Sequence, residues 1–189
     1  MQKSITTAVK TLTLAIAAAF VFATAPVVHA AHWDGGTGNW SDNNWDGDGP
    51  PPLATDTASI GHWGTTGAST VTVDGAYSIV EFDMGNRRDT VVNIGPGTSL
   101  TVDGLAILSA RSNESRTTIL NITGGSLTTV DDGDSVSLSD GHPDDITTLN
   151  LVSGSLNVGR YLTIGSSGGA GTATLNMSGG SLTDCSFGI

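Results

Sequence analysis

Four segments of the chain are near copies of one another. Leu120-Asn121-Ile122 with Gly125-Ser126-Leu127 returns as Leu149-Asn150-Leu151 with Gly154-Ser155-Leu156, and again as Leu175-Asn176-Met177 with Gly180-Ser181-Leu182. An earlier version is Val92-Asn93-Ile94 with Thr98-Ser99-Leu100. The four Asn are 28, 29 and 26 residues apart. So regular a period restricts the chain to folds in which each unit leans on the next, because a unit of this size cannot bury an apolar face alone.

Inside each unit apolar and polar residues alternate, the period of a strand. Asn is flanked by apolar residues in the first strand, so those point one way and the Asn the other. A second strand follows at Leu100 and Val102, or Leu156 and Val158. A third follows at Leu105 and Ile107, Val136 and Leu138, Leu162 and Ile164, and Phe187 and Ile189. The expected fold is all-β: a right-handed parallel β-helix, or solenoid, with about three strands and 26–29 residues per coil. Gly-rich turns such as Gly124-Gly125, Gly154 and Gly179-Gly180 are expected between the strands. Composition agrees, with 26 Gly and only 13% charged residues. Short strands with frequent turns also suit an antiparallel sandwich, but a sandwich has no need of the same unit four times.

Stacking makes predictions about individual positions. Equivalent residues of neighbouring coils should lie about 4.8 Å apart in columns. Asn93, Asn121, Asn150 and Asn176 should form an outward structural ladder joined by amide hydrogen bonds. A degenerate coil is expected upstream. Val71-Thr72-Val73-Asp74-Gly75 matches Leu100-Thr101-Val102-Asp103-Gly104, which makes it a second strand. Ile79 to Met84 would then be the third strand, and Ala58 and Ile60 the first.

Residues 1–30 read as a signal peptide. Lys3 and Lys10 form a basic start, Leu12 to Val21 an apolar stretch, and Val28-His29-Ala30 a small-residue cleavage site with the cut after Ala30. The product would be exported, extracellular or at the cell surface. The apolar run is short for a membrane span and is interrupted by Thr24 and Pro26, so no membrane insertion of the mature chain is expected. Removing the two Lys leaves five Arg against eighteen acids, a net charge of −13. Nucleic acid is not an expected partner, because phosphate neutralisation needs basic side chains. The lone Cys185 has no partner for an internal disulfide.

Residues 31–64 form a distinct Trp/Gly/Pro-rich N-terminal cap, and residues 65–189 the solenoid repeats, ending mid-coil. The cap holds all four Trp (Trp33, Trp40, Trp45 and Trp63) and the stretch Gly47-Asp48-Gly49-Pro50-Pro51-Pro52. The open end of a solenoid exposes apolar columns and an unpaired strand edge, so terminal units differ from internal ones. The Trp cluster is read as cover for the first coil. Its alternative is a carbohydrate-binding platform in which Trp33, Trp40 and Trp45 stack on sugar rings.

The remaining chemistry is sparse. Asp131-Asp132-Gly133-Asp134, Asp144-Asp145 and Asp46-Gly47-Asp48 carry oxygen ligands suited to Ca²⁺. They match neither EF-hand nor calcium β-roll spacing, and Asp and Gly in turns are expected without a metal. His32, His62 and His142 lack zinc-ligand spacing, and His29 leaves with the leader. No metal, cofactor or catalytic residue is assigned. An enzyme on a β-helix, a polysaccharide lyase or glycosidase, would require clustered carboxylates. Here the acids lie in turns, and Arg111, Arg116 and Arg160 share no repeat position.

The stretch from Trp33 through Trp45, then Pro50 to Pro52, then Asp56-Thr57-Ala58-Ser59-Ile60, resembles the opening of bacterial autotransporter-type and PEP-CTERM-type β-strand repeat proteins. The units around Leu120 to Leu127 resemble their repeats. The resemblance covers nearly all of residues 31–189. It implies a pectin-lyase-like solenoid, exported or surface-displayed, with a structural, adhesive or matrix role. Such proteins carry a C-terminal sorting helix or translocator, whereas this chain stops at Phe187-Gly188-Ile189, as if truncated in its third strand. The expected function is that of a secreted or surface structural or adhesive repeat protein without catalytic activity, with extracellular polysaccharide or matrix as partner. Self-association through the open C-terminal coil is also expected.

Overall fold

The computed structural model of the chain describes residues 29–46, 49–62, 64–65, 67–85, 87–110, 115–130, 135–140, 143–165, 171–183 and 186–188. Residues 1–28, within the stretch read as a signal peptide, Trp63, the acidic residues 131–134, His142 and Cys185 lie outside the described residues.

Among the described residues sixteen strands follow one another, and every pairing between them is parallel. β1 (Ala30–His32) is followed by an incomplete winding of β2 (Gly36–Asn39) and β3 (Thr57–Ile60), in which β3 stacks on β1 one turn later. The next comprises β4 (Ser69–Val73), β5 (Ala76–Ile79) and β6 (Glu81–Met84). It is followed by β7 (Thr90–Ile94), β8 (Ser99–Val102) and β9 (Ala106–Ala110). Then come β10 (Thr117–Thr129) with β11 (Ser135–Asp140), and β12 (Ile146–Asn157) with β13 (Tyr161–Ile164). The last winding is β14 (Thr172–Met177), β15 (Ser181–Thr183) and β16 (Ser186–Gly188). The result is a parallel β-solenoid of about five turns, without a helix among the described residues.

Alternation decides what each strand buries. In the first-strand columns Val71, Val92, Leu120 and Leu149 stack in register, as do Val73, Ile94, Ile122 and Leu151. The third-strand columns are Ala58, Phe82, Ala106, Val136 and Leu162, and Ile60, Met84, Leu108 and Leu138. Every one of these side chains is buried. Each fully buried aliphatic contributes about 1.5–3 kcal/mol over its exposed state, a gain available only through the coils above and below.

Besides a one-residue shift in β9, where Ala106 and Leu108 join the third-strand column in place of Leu105 and Ile107, three features depart from the sequence reading. First, Val71 and Val73 lie over Val92 and Ile94, so β4 is a first strand, not a second. The second strand of that winding is β5, with Ile79 over Val102. Its third is β6 alone, and Ala58 and Ile60 belong to the third-strand column of the winding before. The first and second strands share one alternation, so Val-Thr-Val-Asp-Gly fits both positions equally, and the shortness of this winding hid the register. Second, β10 and β12 each run through what were read as two strands and a Gly turn. The chain bends there without leaving the sheet, at register shifts between Ile122, Thr123 and Ser126. Third, stacking begins within residues 31–64: β2 pairs with β4 and β3 with β6. β1 also includes Ala30, and Thr57 N–H donates to His29 O at 2.9 Å.

Candidate functional site

Two arrangements bring polar chemistry together. The first is the outward ladder. Asn121 Nδ2 donates to Asn93 Oδ1 at 2.8 Å, Asn150 Nδ2 to Asn121 Oδ1 at 2.8 Å, and Asn176 Nδ2 to Asn150 Oδ1 at 2.9 Å. The expected ladder is thus formed: Asn121 and Asn150 each donate to one neighbour and accept from the other, while within the file Asn93 accepts and Asn176 donates. A second file, which sequence reasoning missed, runs along the next strand. Asn157 Nδ2 donates to Thr128 Oγ1 at 3.2 Å, and Thr183 Oγ1 donates to Asn157 Oδ1. The pattern Ser-Leu-Thr/Asn in each repeat was the signal for it.

The second arrangement is the N-terminal cap. Trp33, Trp40 and Trp45 are each 0% exposed. Trp33 meets Trp45 edge-on at 5.2 Å, Trp40 lies 5.0 Å from Trp45, and Trp40 reaches Tyr77 at 5.6 Å and Phe82 at 6.1 Å. The indoles of Trp33 and Trp45 donate to Gly36 O and Trp40 O. The cluster is a plug over the first windings. Stacking on a sugar needs an accessible ring face, and in this arrangement all three rings are buried. Burying so large an aromatic surface against the open apolar end is the stronger demand.

A clamp ties cap to coil. Asp74, in the turn between β4 and β5, accepts from Ser41 N–H at 3.2 Å, from the Ser41 hydroxyl, and from Tyr77 OH at 2.9 Å. Burial alone would raise the Asp74 pKa, but the Ser41 and Tyr77 hydroxyls outweigh it and hold the carboxyl below its ordinary value. The Tyr77 phenol is pushed up, by burial first and then by Asp74.

The scattered histidines of the sequence converge at the cap. His32 Nδ1 lies 2.9 Å from Asp46 Oδ1, and His29 Nδ1 3.9 Å from the other carboxylate oxygen. The His62 ring sits 3.9 Å from that of His32, tilted by 35°. Burial, His32 and Arg87 lower the His62 pKa, while Asp46 opposes them. No motif announced this cluster, because the two rings, 30 positions apart in the chain, meet only through the β1–β3 register. Beside it a groove of about 400 Å³ runs between Asp46 and Pro50 to Leu53. Among the described residues no three His, Cys, Asp or Glu are arranged to hold a metal ion.

Acidic turns elsewhere serve the backbone. Asp89 Oδ1 accepts from Thr117 N–H at 2.8 Å and Asp145 Oδ1 from Arg116 N–H at 3.0 Å, each reaching the neighbouring winding.

Fold and site together define a capped parallel β-solenoid with external amide and hydroxyl ladders. No protein-family model, curated protein or solved structure matches the chain.

Proposed function

We propose that the chain is a secreted or cell-surface structural or adhesive repeat protein without catalytic activity, with extracellular polysaccharide or matrix as its partner. The observation that carries this reading is the Asn ladder. The most regular surface side chains of the repeat are spent on one another at 2.8–2.9 Å, so repetition serves a continuous, stiff exterior. A reacting centre would ask instead for unlike groups converging on one point. The N-terminal segment, with its basic start and apolar run, supports export.

The test compares producing cells with and without the chain. Loss of the chain is expected to weaken cell cohesion or attachment to matrix polysaccharide, and the purified chain to leave a panel of neutral and acidic polysaccharides intact. Turnover of any of them would overturn the reading.

A further inference from the structure

We propose that the corner where β10 and β12 end is a subsite for one sugar residue of a neutral polysaccharide. This rests on the reading of the chain as a surface protein with a polysaccharide partner, and gives that partner a place on the solenoid and a charge class.

The groove there comes from a difference between two windings. β10 runs out through Thr128-Thr129-Val130 and β12 through Asn157-Val158-Gly159, with Asn157 in register with Thr128. Thr129 and Val158 are buried. Two positions past the paired Thr128 and Asn157, one winding carries a valine side chain and the next only a glycine. The space left is a groove of about 310 Å³ lined by these six residues, at the small end of ligand sites. Its shape is held by the backbone. Val130 N–H donates to Val102 O at 3.1 Å, Val158 N–H to Thr183 O at 3.2 Å, and Gly159 N–H to Thr129 Oγ1 at 2.9 Å. A site fixed in this way loses little conformational freedom when it fills.

The groups at the groove complement a pyranose ring, which presents an apolar face of C–H groups and a rim of hydroxyls. Val130 is 53% exposed and supplies an apolar wall. Asn157 supplies a polar one. Its Nδ2 gives an N–H to Thr128 Oγ1, and its Oδ1 accepts from the Thr183 hydroxyl. An amide has two N–H groups and two lone pairs. A second donor and a second acceptor therefore remain on one side chain, the combination that pairs with adjacent sugar hydroxyls. Tyr161 lies two residues past Gly159, within about 7 Å along the chain. It is 41% exposed, with the Arg160 guanidinium 4.6 Å from its ring centre, and adds aromatic surface beside the groove.

Charge selects among sugars. Beyond residue 30 five Arg stand against eighteen acids, so the chain repels a polyanion. Hydroxyls paired with an amide carry no such penalty.

The experiment titrates the ¹⁵N-labelled chain with hexasaccharides of β-1,4-linked glucose, of mannose and of galacturonate, followed by NMR. Saturable shifts of the Gly159 N–H and the Asn157 side-chain amide are expected with a neutral hexasaccharide, and none with galacturonate. Asn157→Ala should weaken binding about tenfold. Val130→Ser, at an exposed position, should weaken it with the thermal midpoint unchanged, whereas Leu53→Ser, an exposed apolar residue of the cap, should bind as the unsubstituted chain does. No saturable shift at Gly159 and Asn157 with either neutral hexasaccharide would overturn the proposal, as would tighter binding of galacturonate. Unchanged affinity in both Asn157→Ala and Val130→Ser would do the same. The cell comparison is read separately: cells that lose cohesion without the chain, while Gly159 and Asn157 ignore neutral sugars, would remove this subsite and leave the surface role standing.

Discussion

Asn121 and Asn176 are the same residue in the same repeat position with different energetic weight. Asn121 donates to Asn93 and accepts from Asn150, whereas Asn176 has one ladder bond, to Asn150. A net hydrogen bond stabilises by about 1 kcal/mol. Asn121→Ala should therefore lower unfolding stability by roughly 2 kcal/mol and Asn176→Ala by about half as much, read from urea midpoints with unchanged slopes. Equal losses would mean that the amides act singly with solvent and not as a file. The ladder residues were legible because identical residues recur at one phase of the repeat. The histidine cluster was not, because His32 and His62 occupy no repeated phase and meet only after the strands carrying them have paired.

The strands themselves follow from alternation, and so does the face each residue takes. Register is a separate matter. Val71-Thr72-Val73 has the alternation of a first strand and of a second, and only pairing with Val92-Asn93-Ile94 selects the first. The bend in the long strands depends on glycine. Gly154 in β12 has φ 87°, and a Cβ there would collide with the Gly125 carbonyl of the winding above. Gly154→Ala should cost about 2–3 kcal/mol, measurable as a lowered thermal midpoint. A cost near the few tenths expected of an exposed turn would show that the bend tolerates a side chain.

At the scale of the whole molecule, stability belongs to the contacts between windings. Leu120 is buried between Val92 and Leu149 of adjacent coils. Leu120→Ala is expected to cost about 3 kcal/mol through lost transfer energy and the cavity left behind. In a stack where each unit touches only its neighbours, hydrogen exchange should accelerate in β7, β10 and β12 before it does in β3 and β6. Uniform acceleration throughout would mark a single cooperative core instead.

By itself the sequence determined the stacked parallel solenoid, its inward columns and its Asn ladder, because those features follow from alternation within a repeat and from repetition along the chain. Only the tertiary structure decided the register of the shortened winding, the merging of two strands into one at Gly124-Gly125 and Gly154, the shift that turns Ala106 and Leu108 inward, and the meeting of His32 with His62 over Asp46. The physical reason is common to all four. They depend on which residue of one winding lies against which residue of the next. Where the repeat is degenerate or absent, that pairing is set by packing across the coil and not by any local pattern.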